Sequence, residues 1–156
     1  MLSKKKPQDK VDPEYLVGLD TASAQPAPAG VKPFIKKHWK PITAAICAED
    51  AIPLVLGGDH VIGAGTWRGV ARQLAPRGKL GLIWIDAHLD AHTERSTHTG
   101  NIHGMPLSAL LGVGHEALTG LPGPHLDPAH VAIVGARSWE PEELELLQKL
   151  GVKIFF

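Results

Sequence analysis

Leu80-Gly81-Leu82-Ile83-Trp84-Ile85-Asp86-Ala87-His88-Leu89-Asp90 carries an apolar run straight into two carboxylates and an imidazole at alternate positions. In an extended chain, residues i, i+2 and i+4 point to the same side. The spacing therefore predicts that Asp86, His88 and Asp90 converge where a buried strand ends, which is where open α/β sheets place their sites. A second run of the same kind lies upstream: Pro53-Leu54-Val55-Leu56 leads into Gly57-Gly58-Asp59-His60. Two apolar strands, each ending in metal-competent side chains, point to a hydrolase-like metal site.

The pattern around these runs predicts an α/β fold. Residues 53–56 are continuously apolar rather than alternating, as a strand buried on both faces requires. Ile62, Thr66, Trp67, Val70, Ala71 and Leu74 recur at helical spacing, and Pro76 and Gly78 end that helix. Strand, helix and strand in succession predict a right-handed parallel crossover. Residues 91–104 form a polar loop at the ligand-bearing strand end, where a substrate loop belongs. Further on, the sequence predicts a helix over 106–111, a Gly- and Pro-rich connection over 112–128 and a buried strand over 131–134. A helix over 140–150 follows, with Pro141 in its first turn and Gly151 as its stop, and then a strand from Val152 to Phe156. Upstream, residues 1–30 read as poorly ordered, and 31–40 and 42–49 as short helices interrupted at Pro41. The expected organisation is an N-terminal segment, 1–30, and one partial domain, 31–156.

The 156 residues hold 16 Lys plus Arg against 16 Asp plus Glu. This balance favours neither nucleic acid nor an anionic membrane as partner. No apolar run approaches the ~20 residues of a spanning helix. Cys47 is the single cysteine, so an internal disulfide is impossible and a reducing, cytoplasmic setting is expected. Cys47 itself reads as a small core residue.

His60, Asp86, His88 and Asp90 mix imidazole with carboxylate and include no thiolate. That mixture suits Mn²⁺, Fe²⁺ or Zn²⁺ better than Ca²⁺. A bridging carboxylate such as Asp86 would hold two ions ~4 Å apart and generate hydroxide near neutral pH. Such a hydroxide attacks ester, amide or guanidinium carbon.

Three segments together, Gly57-Gly58-Asp59-His60, Asp86-Ala87-His88-Leu89-Asp90 and Gly100-Asn101-Ile102-His103-Gly104-Met105-Pro106-Leu107, resemble the ureohydrolases, which include arginase, agmatinase and formiminoglutamase. The last segment resembles the arginase branch, and the likeness covers residues 50–156. The resemblance implies a three-layer α/β/α fold with a mainly parallel sheet and a binuclear manganese centre. It implies hydrolysis of a guanidino substrate, L-arginine first and agmatine as the alternative, to urea and an amine. His60, Asp86 and Asp90 would hold one ion, and Asp86 and His88 would contribute to the other. His103 and Asp90 take the catalytic roles, with His103 shuttling protons. His92, Thr99, Asn101 and Glu140 would contact substrate. His92 and Thr99 stand where arginases commonly carry Asn and Ser, and Glu140 stands where the acid is often Asp. Homo-oligomers are implied.

Two parts of the family pattern are not recognisable in these residues. One is the later Ser-x-Asp-x-Asp-x-x-Asp-Pro motif with the remaining ligands; the other is the first strand with its glycine-rich turn. Four of six metal ligands are present, which predicts weak binding of one Mn²⁺ in place of two. The competing expectation is a family fragment that binds metal weakly and does not turn over.

Overall fold

The computed structural model describes residues 54–156. The expectations for 1–30, 31–40 and 42–49, and for Cys47, lie outside the described residues. Three short strands form a parallel sheet in the order β1 (Leu82–Ile85), β2 (Val131–Val134), β3 (Lys153–Phe155). Leu82 pairs with Val131 and Trp84 with Ile133; Ile133 in turn pairs with Ile154. Helix α1 (Ile62–Leu74) precedes the sheet in the chain. Between β1 and β2 come α2 (Pro106–Leu110) and α3 (Glu116–Thr119), and α4 (Pro141–Leu150) joins β2 to β3. The parallel α/β fold is the one the apolar runs predict.

The periodicities locate the elements well because each carries its own local signals. Helix α1 spans the residues its spacing predicts. Helix α4 starts with Pro141 at N1 behind Glu140, and it ends at Gly151 with φ +79°, a left-handed cap that favours glycine. A reciprocal capping box ties Glu140 to Glu143. The connection over 112–128 contains the short helix α3, whose N-cap, His115, accepts the Ala117 amide.

Burial is one-sided. Leu82 and Trp84 of β1 and Val131 and Ile133 of β2 pack with Ala71, Leu107, Leu110 and Leu147 in one apolar cluster. Each buried Val, Leu or Ile side chain contributes about 1.5–3 kcal/mol on leaving water. Residues of opposite parity, Ile83, Ile85, Val134 and Phe155, remain 69%, 80%, 39% and 56% exposed. The described helices thus cover one face of the sheet, and the second helical layer of a three-layer arrangement is not among the described residues.

One expectation is overturned. Leu54 to Leu56 form no strand, and Leu54 and Leu56 are 81% and 84% exposed. Among the described residues no strand precedes α1, so the expected strand–helix–strand unit is not formed there. Continuous apolarity reports a demand for burial on both faces, but it does not say which strand pairs with which. Here β1 pairs with β2, and no described strand lies along its other edge.

Candidate metal centre

Three segments build the site at the C-terminal end of β1. Asp86 follows the strand directly, and its amide still bonds the Val134 carbonyl at 3.2 Å. The chain then bends through Ala87 and His88. Asp90 sits in the left-handed region at φ +49°, the only non-glycine residue at positive φ among those described. Asp tolerates this conformation better than most residues. The carboxylates therefore meet through a bend and a left-handed residue, and not through the extended alternation that the i, i+2, i+4 spacing predicts.

His60 arrives from the turn before α1. Asp59 shapes that turn by accepting the Val61 amide at 2.8 Å. The imidazole stacks on Trp84, with ring centroids 4.5 Å apart and planes 18° from parallel. Gly63 makes room for the indole: a Cβ there would lie 3.0 Å from Trp84 Cη2. His60 Nδ1 stands 3.0 Å from Asp86 Oδ2 and 2.6 Å from Asp90 Oδ2. One ligand atom from each of these three residues falls within a sphere-sized cluster, all within 4.8 Å of one another. With no strand described before it, His60 is placed by the Asp59 turn and by stacking on Trp84.

The donor set fits a divalent cation. Asp90 is 6% exposed, and its buried Oδ2 accepts no hydrogen bond in spite of the close imidazole nitrogen. A buried carboxylate oxygen without a donor is costly unless a cation compensates it. Burial accordingly raises the Asp90 pKa from 3.8 to about 6, with His60 opposing the rise and Asp86 adding to it. His88 joins more loosely: its Nδ1 is 3.3 Å from Asp86 Oδ1, and the ring is largely exposed. The same Asp86 oxygen accepts the His88 amide at 2.8 Å.

The remaining candidates separate into two groups. His103 lies at the rim, its Nδ1 4.0 Å from Asp59 Oδ2. Thr99 and Asn101 are near neighbours on the loop, and the Asn101 amide donates to Thr99 Oγ1 at 3.2 Å. His92 and Glu140 face each other instead: His92 Nε2 is 3.1 Å from Glu140 Oε2 and 3.6 Å from Glu143 Oε2. Hydrogen bonds from Glu143 and His92 hold the Glu140 carboxyl below its ordinary pKa, while burial raises that of Glu143.

Sequence reasoning missed three residues. Trp84 offers no ligand atom and sits within an apolar run, yet its indole carries the His60 ring. Glu143 is 3% exposed and accepts the Ala91 amide at 2.9 Å; the Glu140-x-x-Glu143 capping-box spacing was the signal. Arg68 is buried in α1 and donates to the Leu121 and Thr119 carbonyls. No pattern in the helix marks it out from a solvent-facing arginine.

Comparison with known proteins agrees with this geometry. The sequence profile described as Arginase family matches residues 7–156. The arginase of Bacillus caldovelox is 49% identical over 105 residues, 66% of this chain and 34% of that protein. The arginase of Bacillus subtilis strain 168 is 45% identical over 112 residues, 70% of this chain and 37% of that one. A crystal structure of Bacillus subtilis arginase superposes with a TM-score of 0.71 at 39% identity, covering 81% of this chain and 44% of the other. The native Bacillus caldovelox arginase structure gives 0.68 at 35% identity, covering 99% and 48%. The chain spans about a third of the length of the curated relatives it matches. By its residues, its fold and these relatives, the chain belongs to the arginase family.

Proposed function

We propose that this chain carries part of the metal centre of a manganese-dependent hydrolase of guanidino substrates, with L-arginine as substrate and urea and ornithine as products. The convergence of His60 Nδ1 on Asp86 and Asp90, at 3.0 and 2.6 Å, carries this reading. His60, Asp86 and Asp90 would hold one Mn²⁺, and Asp86 and His88 would contribute to a second. A metal held by these residues would activate water near neutral pH. The chain's own residues do the rest. Asp90 holds negative charge at the buried end of the site. His103, at the exposed rim beside Asp59, passes a proton to the leaving amine, a task suited to imidazole at neutral pH. Thr99 and Asn101 offer a hydroxyl and an amide to the far end of the substrate.

A homo-oligomer in the cytoplasm is the proposed setting. Among the described residues no helix is long and apolar enough to cross a membrane. Calorimetric titration with Mn²⁺, followed by urea release from L-arginine and from agmatine, tests the reading. Binding that depends on His60 and Asp90 is the expected result, with turnover favouring L-arginine. Absence of Mn²⁺ binding would overturn it, and preferential release from agmatine would reassign the substrate.

A further inference from the structure

We propose that His92 is a positioning residue that fastens the 91–104 loop to the first turn of α4, and that its imidazole is closed to substrate. The inference rests on the reading of that loop as the substrate loop.

His92 is 8% exposed, and both ring nitrogens are engaged. Nδ1 meets Ser96 Oγ at 3.1 Å, and Nε2 meets Glu140 Oε2 at 3.1 Å. An imidazole has two nitrogens and no other polar atom, so nothing on the ring remains for a ligand. The backbone is engaged as well. The His92 amide donates to the Gly104 carbonyl at 2.9 Å, and the Ser108 hydroxyl donates to the His92 carbonyl. The bond to Gly104 closes the loop at its base, next to His103.

Glu140 and Glu143 are not free to swing away. The capping box of α4 places both carboxylates, and Glu143 also accepts the Ala91 amide. Residues 91 and 92 are thus tied to α4 through two acids set one helical turn apart. Further along the loop, His98 Nε2 approaches Glu142 Oε1 at 3.6 Å, and its ring lies 5.9 Å from that of His92. Ordering this stretch positions His103, and it leaves recognition of the substrate's far end to Thr99 and Asn101.

The same three groups, His92, Glu140 and Glu143, lie close enough together to hold a cation. The positive end of the α4 dipole opposes that arrangement and favours the acids paired with an imidazole. Zn²⁺ binding that disappears in His92→Ala and persists in His60→Ala would overturn the proposal.

Amide hydrogen exchange on the wild type, His92→Ala and His92→Gln is the main test. The reporters are Ser96 and Thr97, whose amides bond the Thr93 carbonyl, with Ala132 and Ile133 of β2 as controls. The expected result is about tenfold faster exchange at Ser96 and Thr97 in His92→Ala, with β2 unchanged, a factor that corresponds to ~1.4 kcal/mol of local opening. His92→Gln, whose terminal amide still reaches Glu140, restores protection. Equal acceleration in loop and sheet, no acceleration, or no rescue by glutamine would each overturn it. In a second arm, L-arginine is titrated into the chain loaded with diamagnetic Zn²⁺ while the backbone amide resonances and the His92 imidazole ¹⁵N resonances are followed. Shifts at Thr99 and Asn101 without a shift at His92 support the proposal, and a direct His92 response refutes it. Failure to bind either Mn²⁺ or L-arginine would sink the functional reading and leave the exchange result standing.

Discussion

Asp90→Asn separates what the site costs from what it does. Asp90 is buried, and burial raises its pKa from 3.8 to about 6, with His60 opposing the rise. A folded acid with a raised pKa holds its proton more tightly than the unfolded chain does. Its ionised form therefore destabilises the fold, fully above pH 6, and the effect fades as pH falls from about 6 towards 3.8. The gap corresponds to about 3 kcal/mol at most. Asparagine keeps the shape, tolerates φ +49° and carries no charge. In metal-free buffer at pH 7.5, urea denaturation of Asp90→Asn is expected to show a gain of about 2–3 kcal/mol over the wild type. By pH 4 the difference closes. With Mn²⁺ added at pH 7.5, the wild type gains stability by mass action and the variant does not. A variant that is less stable at pH 7.5, or a difference that does not change with pH, would refute the argument that an uncompensated carboxylate is stored here for a cation.

Three further perturbations test neighbouring parts of the structure. His60→Ala removes the imidazole that meets both carboxylates, and Mn²⁺ affinity measured by calorimetry is expected to fall by more than the ~10–100-fold typical of an outer-shell loss. Gly63→Ala sets a methyl 3.0 Å from Trp84 Cη2; thermal melts are expected to show a loss of about 1–3 kcal/mol, and the displaced indole weakens Mn²⁺ binding through His60. Ile85→Lys places a charge on the uncovered sheet face, where the side chain is 80% exposed; stability is expected to stay within about 0.5 kcal/mol, while light scattering shows less self-association because the apolar patch is broken.

Local signals made much of this fold legible. Helix α1 announces itself by period and by Pro76 and Gly78, and α4 by Pro141 and Gly151. Strands β1 and β2 are legible as apolar runs. The run at Leu54 to Leu56 looks the same yet forms no strand, because hydrophobicity measures the need for burial and pairing depends on which partner is at hand. The site was partly legible in the same sense. His60, Asp86, His88 and Asp90 are ligand types in a telling order. The bend that gathers them, the left-handed Asp90 and the indole beneath His60 are long-range or conformational facts. His92 shows the limit most clearly: an imidazole on a polar loop reads as open to ligand until its partners, forty-eight and fifty-one residues away in the chain, are found to occupy it.

The amino-acid order alone supplied a donor set suited to a divalent cation, through carboxylates and imidazoles without thiolates placed after apolar runs, and it determined the helix ends, through proline, glycine and capping acids. Those properties depend on residue type and on spacing within a few turns of chain. Tertiary structure alone decided that β1 pairs with β2, that His60 meets Asp86 and Asp90, and that His92 is enclosed by α4. These are contacts between distant segments. Their free energy depends on which surfaces are brought together, and no short stretch of sequence contains that information.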